Sequence, residues 1–175
     1  MTDVSTSLSS LDSTVGAPRR VLVFWPLFAG TVATDVVSKH LVEARLPLHV
    51  PRDIVGEWIR LTLTYNTGAA MNLSLGDASR VVFTVLASVM LAVIFRMYQR
   101  TERHDASQAA ALALIAAGAL GNVIDRLRSP RGVVDFIDMG VGDWRFWTFN
   151  VADMGVTFGA VMLALVLWRK SATPE

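Results

Sequence analysis

Long apolar runs, most of them closed by basic residues, organise this chain. The first runs from Val21 to Thr34, passes into Asp35 and Lys39, and predicts a helical span over residues 21–42. The second, Val81 to Phe95, contains no charge and closes on Arg96 and Arg100. The third, residues 106–126, is rich in small side chains, with Ala113, Ala117 and Gly121 four positions apart. That spacing lays a smooth stripe along one helix face, where a second helix can approach closely. The fourth, residues 150–168, ends at Arg169-Lys170. A bilayer core about 30 Å thick requires about 20 mostly apolar residues per helix, so four membrane spans are expected.

Other periods occupy the connections. Ile59 to Tyr65 alternates apolar and polar residues, the pattern of a half-exposed strand. Val133 to Ile137 and Trp144 to Phe149 also look extended. The expected fold is an α-helical integral membrane protein with four transmembrane helices and a small extracytoplasmic β-sheet. Residues 1–18, Ser/Thr-rich and ending in Ala17-Pro18, predict a flexible tail. Residues 19–170 form a single domain in this reading, and 171–175 a short C-terminal tail. Arg19-Arg20 before an apolar run is compatible with a cleaved signal peptide, but no A-x-A site follows, so the run is read as a retained span.

Composition agrees with a membrane class. Charged residues make up 18% of the chain, against roughly 25% in soluble domains, and 53% are hydrophobic. A formal net charge of +1 gives no general attraction to nucleic acid. The absence of cysteine excludes thiol nucleophiles, disulfides and cysteine metal sites. Arg19, Arg20, Arg96, Arg100, Arg103, Arg169 and Lys170 fall on one side of an up-and-down arrangement, which places both termini in the cytoplasm.

The few polar residues of the spans converge. Asp35 and Lys39 share a face near the end of span one, and Asn122, Asp125 and Arg126 lie near the end of span three. Asn150 and Asp153 open span four, while Asn66-Thr67-Gly68-Ala69-Ala70 and Asp135 sit in the connections on the same side. Ionisable groups at membrane depth cost several kcal/mol unless paired or hydrated. Mutual neutralisation, Asp35 with Lys39 and Asp125 with Arg126, is the plain structural explanation for four of them. Asp135 and Asp153 have no basic neighbour within a helical turn in sequence. Their plain alternatives are a solvated loop acid and a helix N-terminal acid.

Two carboxylates sharing a site do not both ionise readily. The ionised member can deprotonate water, and the protonated one can donate to a scissile carbonyl. Other catalytic patterns are missing: there is no H-E-x-x-H and no G-x-S-x-G. His40, His49 and His104 are far apart and read as surface or interfacial residues. Gly140-Val141-Gly142-Asp143 spells the G-x-G-D of another protease class, but it is rich in turn formers and predicts a turn. A transporter would need polar residues through the membrane depth, whereas the other halves of these spans are nearly all apolar. The rivals are another intramembrane enzyme using the same carboxylates, such as a protease of different specificity, and a non-enzymatic assembly factor.

The set Asp35-x-x-x-Lys39, Asn66-Thr67-Gly68-Ala69-Ala70, Gly121-Asn122-x-x-Asp125-Arg126, Val134-Asp135-Phe136 and Phe149-Asn150-x-Ala152-Asp153 resembles the lipoprotein signal peptidases, or signal peptidase II. The resemblance implies an aspartic endopeptidase of the bacterial inner membrane, acting near the outer leaflet on diacylglyceryl prolipoproteins just before the lipidated cysteine. It implies Asp135 and Asp153 as the catalytic pair. The residues alone do not rank Asp135 above Asp125. Asn66, Gly68, Asn122, Asp125, Arg126 and Asn150 would shape the site or contact substrate, with Asp35 and Lys39 as structural surround. No metal and no organic cofactor is expected, and the partners would be the prolipoprotein and membrane lipid, with the enzyme a monomer. Met71 and Met154 depart from the family pattern, where an aromatic and Ser are common.

Overall fold

A computed structural model describes residues 17–68 and 78–172 of the chain. Ala69, Ala70, Met71, almost all of the N-terminal tail and residues 173–175 lie outside the described residues. Four long helices, α1 (Arg19–Arg45), α2 (Ser79–Arg100), α3 (Ala106–Arg128) and α4 (Val151–Ala172), are each apolar enough to cross a membrane. They overrun the expected spans by several residues at most ends. The connections after α1 and α3 supply four strands: β1 (Arg52–Val55), β2 (Ile59–Asn66), β3 (Val133–Val141) and β4 (Trp144–Arg145).

Helix α3 is the central element. Most of its spanning window is buried, whereas those of α1, α2 and α4 are largely exposed. The exposed side chains of the outer helices are mainly Val, Leu and Phe, as expected where the neighbour is lipid and not water. Trp25 and Trp168 are exposed near one end of the bundle, and Trp58, Trp144 and Trp147 near the other. Aromatic residues at both ends suit the two membrane–water interfaces.

Ala113, Ala117 and Gly121 are buried, as the small-residue stripe anticipated. The tightest approach to α4, however, uses a different glycine. A Cβ on Gly118 would collide with the carbonyl oxygen of Ala152, and one on Gly159 would come within 2.8 Å of the Ala111 carbonyl oxygen. Gly121 instead faces α1, where a Cβ would overlap the Asp35 carboxylate. Small residues thus let α1 and α4 close onto α3 at the level where the polar groups sit.

The strands form one antiparallel sheet in the order β1-β2-β3-β4, at the end of the bundle where α1 and α3 finish. The alternation of β2 sorts its faces. Leu61 and Leu63 pack with Val134, Phe136 and Val42, while Thr64 and Asn66 stand opposite Asp135 and Val133 in the β2–β3 register. Between Leu61 and Thr64 the register shifts, three steps on β2 matching two on β3, from Ile137 to Asp135. An extra residue of this kind bends a strand and re-aims its neighbours. Gly142, at φ +55°, starts the two-residue turn joining β3 to β4, so the second half of the G-x-G-D letters is a turn while Gly140 and Val141 end β3. The expected strand over Trp144–Phe149 shortens to Trp144–Arg145, with an isolated bridge between Ile137 and Phe149.

Candidate active site

Asn150 stands immediately before α4 and builds the start of that helix. Its side-chain Oδ1 accepts from the backbone N–H of Asp153 (2.9 Å), and its own backbone N–H donates to Asp153 Oδ2 (3.2 Å). This reciprocal pair is a capping box, with an acid in the third helical position. The cap therefore fixes the Asp153 side chain as well as the helix end. The other oxygen, Oδ1, accepts from Asn122 Nδ2 of α3 at 2.8 Å.

The same Asn150 reaches the sheet. Its Nδ2 donates to Asp135 Oδ1 (2.7 Å), and Asn66 Nδ2 from β2 donates to Asp135 Oδ2 (3.2 Å). The approach is secured from the backbone, because the Phe149 carbonyl accepts from both Phe136 N–H (3.0 Å) and Ile137 N–H (2.8 Å). Asp135 and Asp153 thus share Asn150 as a common partner. Both line one cavity of about 1150 Å³ between α2, α3, α4 and the sheet. Leu86, Met90 and Phe158 line it too, and these are exposed on the lipid-facing side of α2 and α4.

Asp135 is 3% exposed. Burial and then the charge of Asp153 push its carboxyl up from 3.8 to about 7, against the hydrogen bonds from Asn66 and Asn150 and the charge of Lys39. Near neutral pH such a group holds a proton for part of the time, as a donor to a developing oxyanion must.

A second, deeper network supports the first. Lys39, 1% exposed, directs its ammonium to Asp35 Oδ2 (2.8 Å), Asp125 Oδ2 (2.9 Å) and Asn122 Oδ1 (3.1 Å). Three acceptors meet three N–H donors. Since Oδ1 of Asn122 is held by Lys39, its Nδ2 must face Asp153. Asp35 Oδ1 takes the Ala152 N–H of α4 (2.8 Å), and Asp125 Oδ2 takes the Val134 N–H beside Asp135 (3.1 Å). The expected Asp35–Lys39 pair is present.

The expected Asp125–Arg126 pair is not. Asp125 binds Lys39 and, through Oδ1, Arg128 Nη2 at 3.3 Å. Adjacent helical residues point about 100° apart, whereas residues three apart share a face. Arg126 turns instead to the carbonyl oxygens of Asn122 (3.2 Å) and Gly68 (3.0 Å), and it lines the cavity with Asp135 and Asp153. Gly68 N–H donates to Asn66 Oδ1 (3.0 Å), which fixes the amide that serves Asp135. Met154, the departure following Asp153, lines the same cavity.

Among the cavity residues that were not anticipated are two hydroxyls beside Asp135. Thr64 and Thr148 are joined through their hydroxyls (3.0 Å), and Thr64 also reaches the Asp135 carbonyl oxygen (3.3 Å). The signal for Thr64 was available, because it shares the polar face of β2 with Asn66. Thr148 sits in irregular chain, where no period marks it.

A buried Asp135 and a half-buried Asp153 facing one cavity at one end of four membrane-spanning helices fit a polytopic membrane enzyme of the peptidase class. The model of signal peptidase (SPase) II matches residues 27–169, and the chain belongs to that family. A lipoprotein signal peptidase of Pseudomonas syringae pv. tomato is 40% identical over 147 residues, covering 82% of this chain and 84% of the relative. One of Streptomyces coelicolor is 36% identical over 156 residues, covering 86% and 72%. Among solved structures, a bacterial membrane enzyme determined by the in meso method at 2.3 Å has the same fold. Its TM-score is 0.78 at 24% identity, covering 89% of this chain and 91% of that one.

Proposed function

We propose that this enzyme is an aspartic endopeptidase that removes the signal peptide from diacylglyceryl prolipoproteins, cutting on the N-terminal side of the lipidated cysteine. Asp135 and Asp153 are its catalytic pair. One observation carries the reading: these two carboxyls line a single cavity and are bridged by the Asn150 cap. The names of the relatives, lipoprotein signal peptidases, support the substrate class.

Asp153 is the less buried of the two and lies in the first turn of α4, where the helix dipole favours a negative charge, which suits the ionised member. Asp153 takes a proton from water as the water oxygen attacks the scissile carbonyl carbon. Asp135 donates its proton to the carbonyl oxygen. When the tetrahedral adduct collapses, the C–N bond breaks, the proton on Asp153 passes to the leaving amine, and Asp135 recovers its own. Arg126, at the same cavity, adds positive charge where the oxyanion develops.

The apolar part of the cavity suits a helical, lipid-anchored substrate arriving sideways between α2 and α4. Arg19, Arg20, Arg96, Arg100, Arg169 and Lys170 at the opposite end favour cytoplasmic termini in the bacterial inner membrane, with the site near the outer leaflet. The bundle completes the site within one chain, which supports action as a monomer. The test uses two synthetic prolipoproteins of one sequence, with and without diacylglyceryl on the cysteine. Mass spectrometry is expected to find cleavage before the lipidated cysteine only. Equal cleavage of both would reject the lipoprotein substrate while leaving the dyad intact.

A further inference from the structure

A second cavity, of about 510 Å³, lies beside the end of α1 and is lined by His40, Glu43, Tyr65, Arg128, Ser129 and Arg131. Tyr65, between Thr64 and Asn66 on β2, lines both this cavity and the carboxylate cavity. The donors and acceptors here are unequal. Glu43 is the one acid of the lining, and both its oxygens are engaged: Oε1 by Tyr65 O–H (3.0 Å), Oε2 by Arg128 Nη2 (2.8 Å). Arg128 Nη2 also meets Asp125 Oδ1 (3.3 Å), and Nη1 meets His40 Nδ1 at 3.0 Å. Guanidinium only donates, so Nδ1 accepts and the ring proton of His40 is on Nε2. Ser129 Oγ accepts from Arg131 N–H (3.1 Å), which leaves its hydroxyl proton to donate.

Arg131 is exposed, as are His40 and Arg128. The Arg131 side chain is 62% exposed and its guanidinium carbon is 4.2 Å from the centre of the Tyr65 ring. Glu43 Oε1 is 3.7 Å away, and among the described residues the guanidinium makes no hydrogen bond. A ligand entering this cavity meets the Arg131 guanidinium, an imidazole N–H and a hydroxyl, beside an Arg128 guanidinium that Glu43, Asp125 and His40 hold in place. Forked guanidiniums match the oxygens of a phosphate. The cavity sits at the end of α1 and α3, the level at which lipid phosphates lie.

We propose that this cavity binds a phosphate group, supplied by the headgroup of an anionic phospholipid. The site adjoins the carboxylate cavity at Tyr65, which lines both, and meets the supporting network through Arg128 and Asp125. Arg131 is the variant of choice because it contacts none of that network. Full-length protein in neutral detergent micelles is titrated with phosphatidylglycerol, with diacylglycerol of the same chains, and with inorganic phosphate. Native mass spectra and the unfolding midpoint are read.

Phosphatidylglycerol is expected to stay bound and raise the midpoint, and diacylglycerol is not. Arg131→Gln weakens phosphatidylglycerol binding about tenfold, the loss of one charge-assisted contact, and keeps the lipid-free midpoint and peptidase rate. Arg131→Lys recovers part of the binding. If inorganic phosphate competes at millimolar concentration with the same loss in Arg131→Gln, the site stands with free phosphate as its source. Equal retention of diacylglycerol, or undiminished phosphatidylglycerol binding by Arg131→Gln, overturns the proposal.

Discussion

Asp135 gives a prediction whose size follows from its surroundings. Burial and the charge of Asp153 raise its pKa from 3.8 to about 7. Below pH 3.8 the folded and unfolded chains both hold this proton. Between 3.8 and 7 only the unfolded chain has released it, so stability falls with rising pH by about 1.4 kcal/mol per unit. Above 7 both states are ionised and the loss levels off. Over the whole window it reaches about 4 kcal/mol, of which about 3 kcal/mol falls between pH 5 and pH 8. Asn at this position cannot titrate. Its amide would also turn one N–H toward the donor of Asn66 or Asn150, a cost of about 1–3 kcal/mol at every pH. The assay is the difference in unfolding free energy between wild type and Asp135→Asn, measured in micelles at pH 5 and pH 8. The variant should gain about 3 kcal/mol on wild type between the two pH values. A difference independent of pH would refute the claim that Asp135 is buried beside a second carboxylate.

Three further outcomes follow from the same geometry. Lys39→Met leaves the Asp35 and Asp125 carboxylates without their shared ammonium, and unfolding measurements should show a loss of about 3–5 kcal/mol. Gly121→Val places a side chain against the Asp35 carboxylate and Ala152, and should lower stability by about 1–3 kcal/mol as α1 and α4 are pushed from α3. The peptidase rate should decline as pH rises through about 7, where Asp135 loses the proton it donates; a rate still rising to pH 9 would exclude it as the acid.

The membrane spans were legible because lipid imposes one requirement over many residues. The runs beginning at Val21, Val81, Ala106 and Asn150 each met it. Strands β2 and β3 were legible from alternation and from Val133 to Ile137. Strand β1 was not: Arg52, Asp53, Ile54 and Val55 are all exposed, and their strand form comes from pairing with β2. The polar clusters pointed to one end of the bundle because alternating spans leave little choice. Their partners were less legible. Lys39 with Asp35 follows from a spacing of four on one helix. Lys39 with Asp125 and Asn122 follows only from the packing of α1 on α3, which Gly121 permits. Nearness in sequence suggested Arg126 for Asp125, and helix geometry gave Arg128. The capping box was present as Asn150 and Asp153 three apart, yet its second role, bridging to Asp135, needed the Phe149 carbonyl to bind β3.

Cleavage of a diacylglyceryl prolipoprotein by Asp135→Asn and by Asp153→Asn tests the central claim most directly, with each variant first shown to unfold cooperatively in micelles. If the two carboxyls share the work of water activation and proton donation, each single change lowers the rate by about 10²-fold or more. Wild-type rates in either folded variant would contradict the assignment.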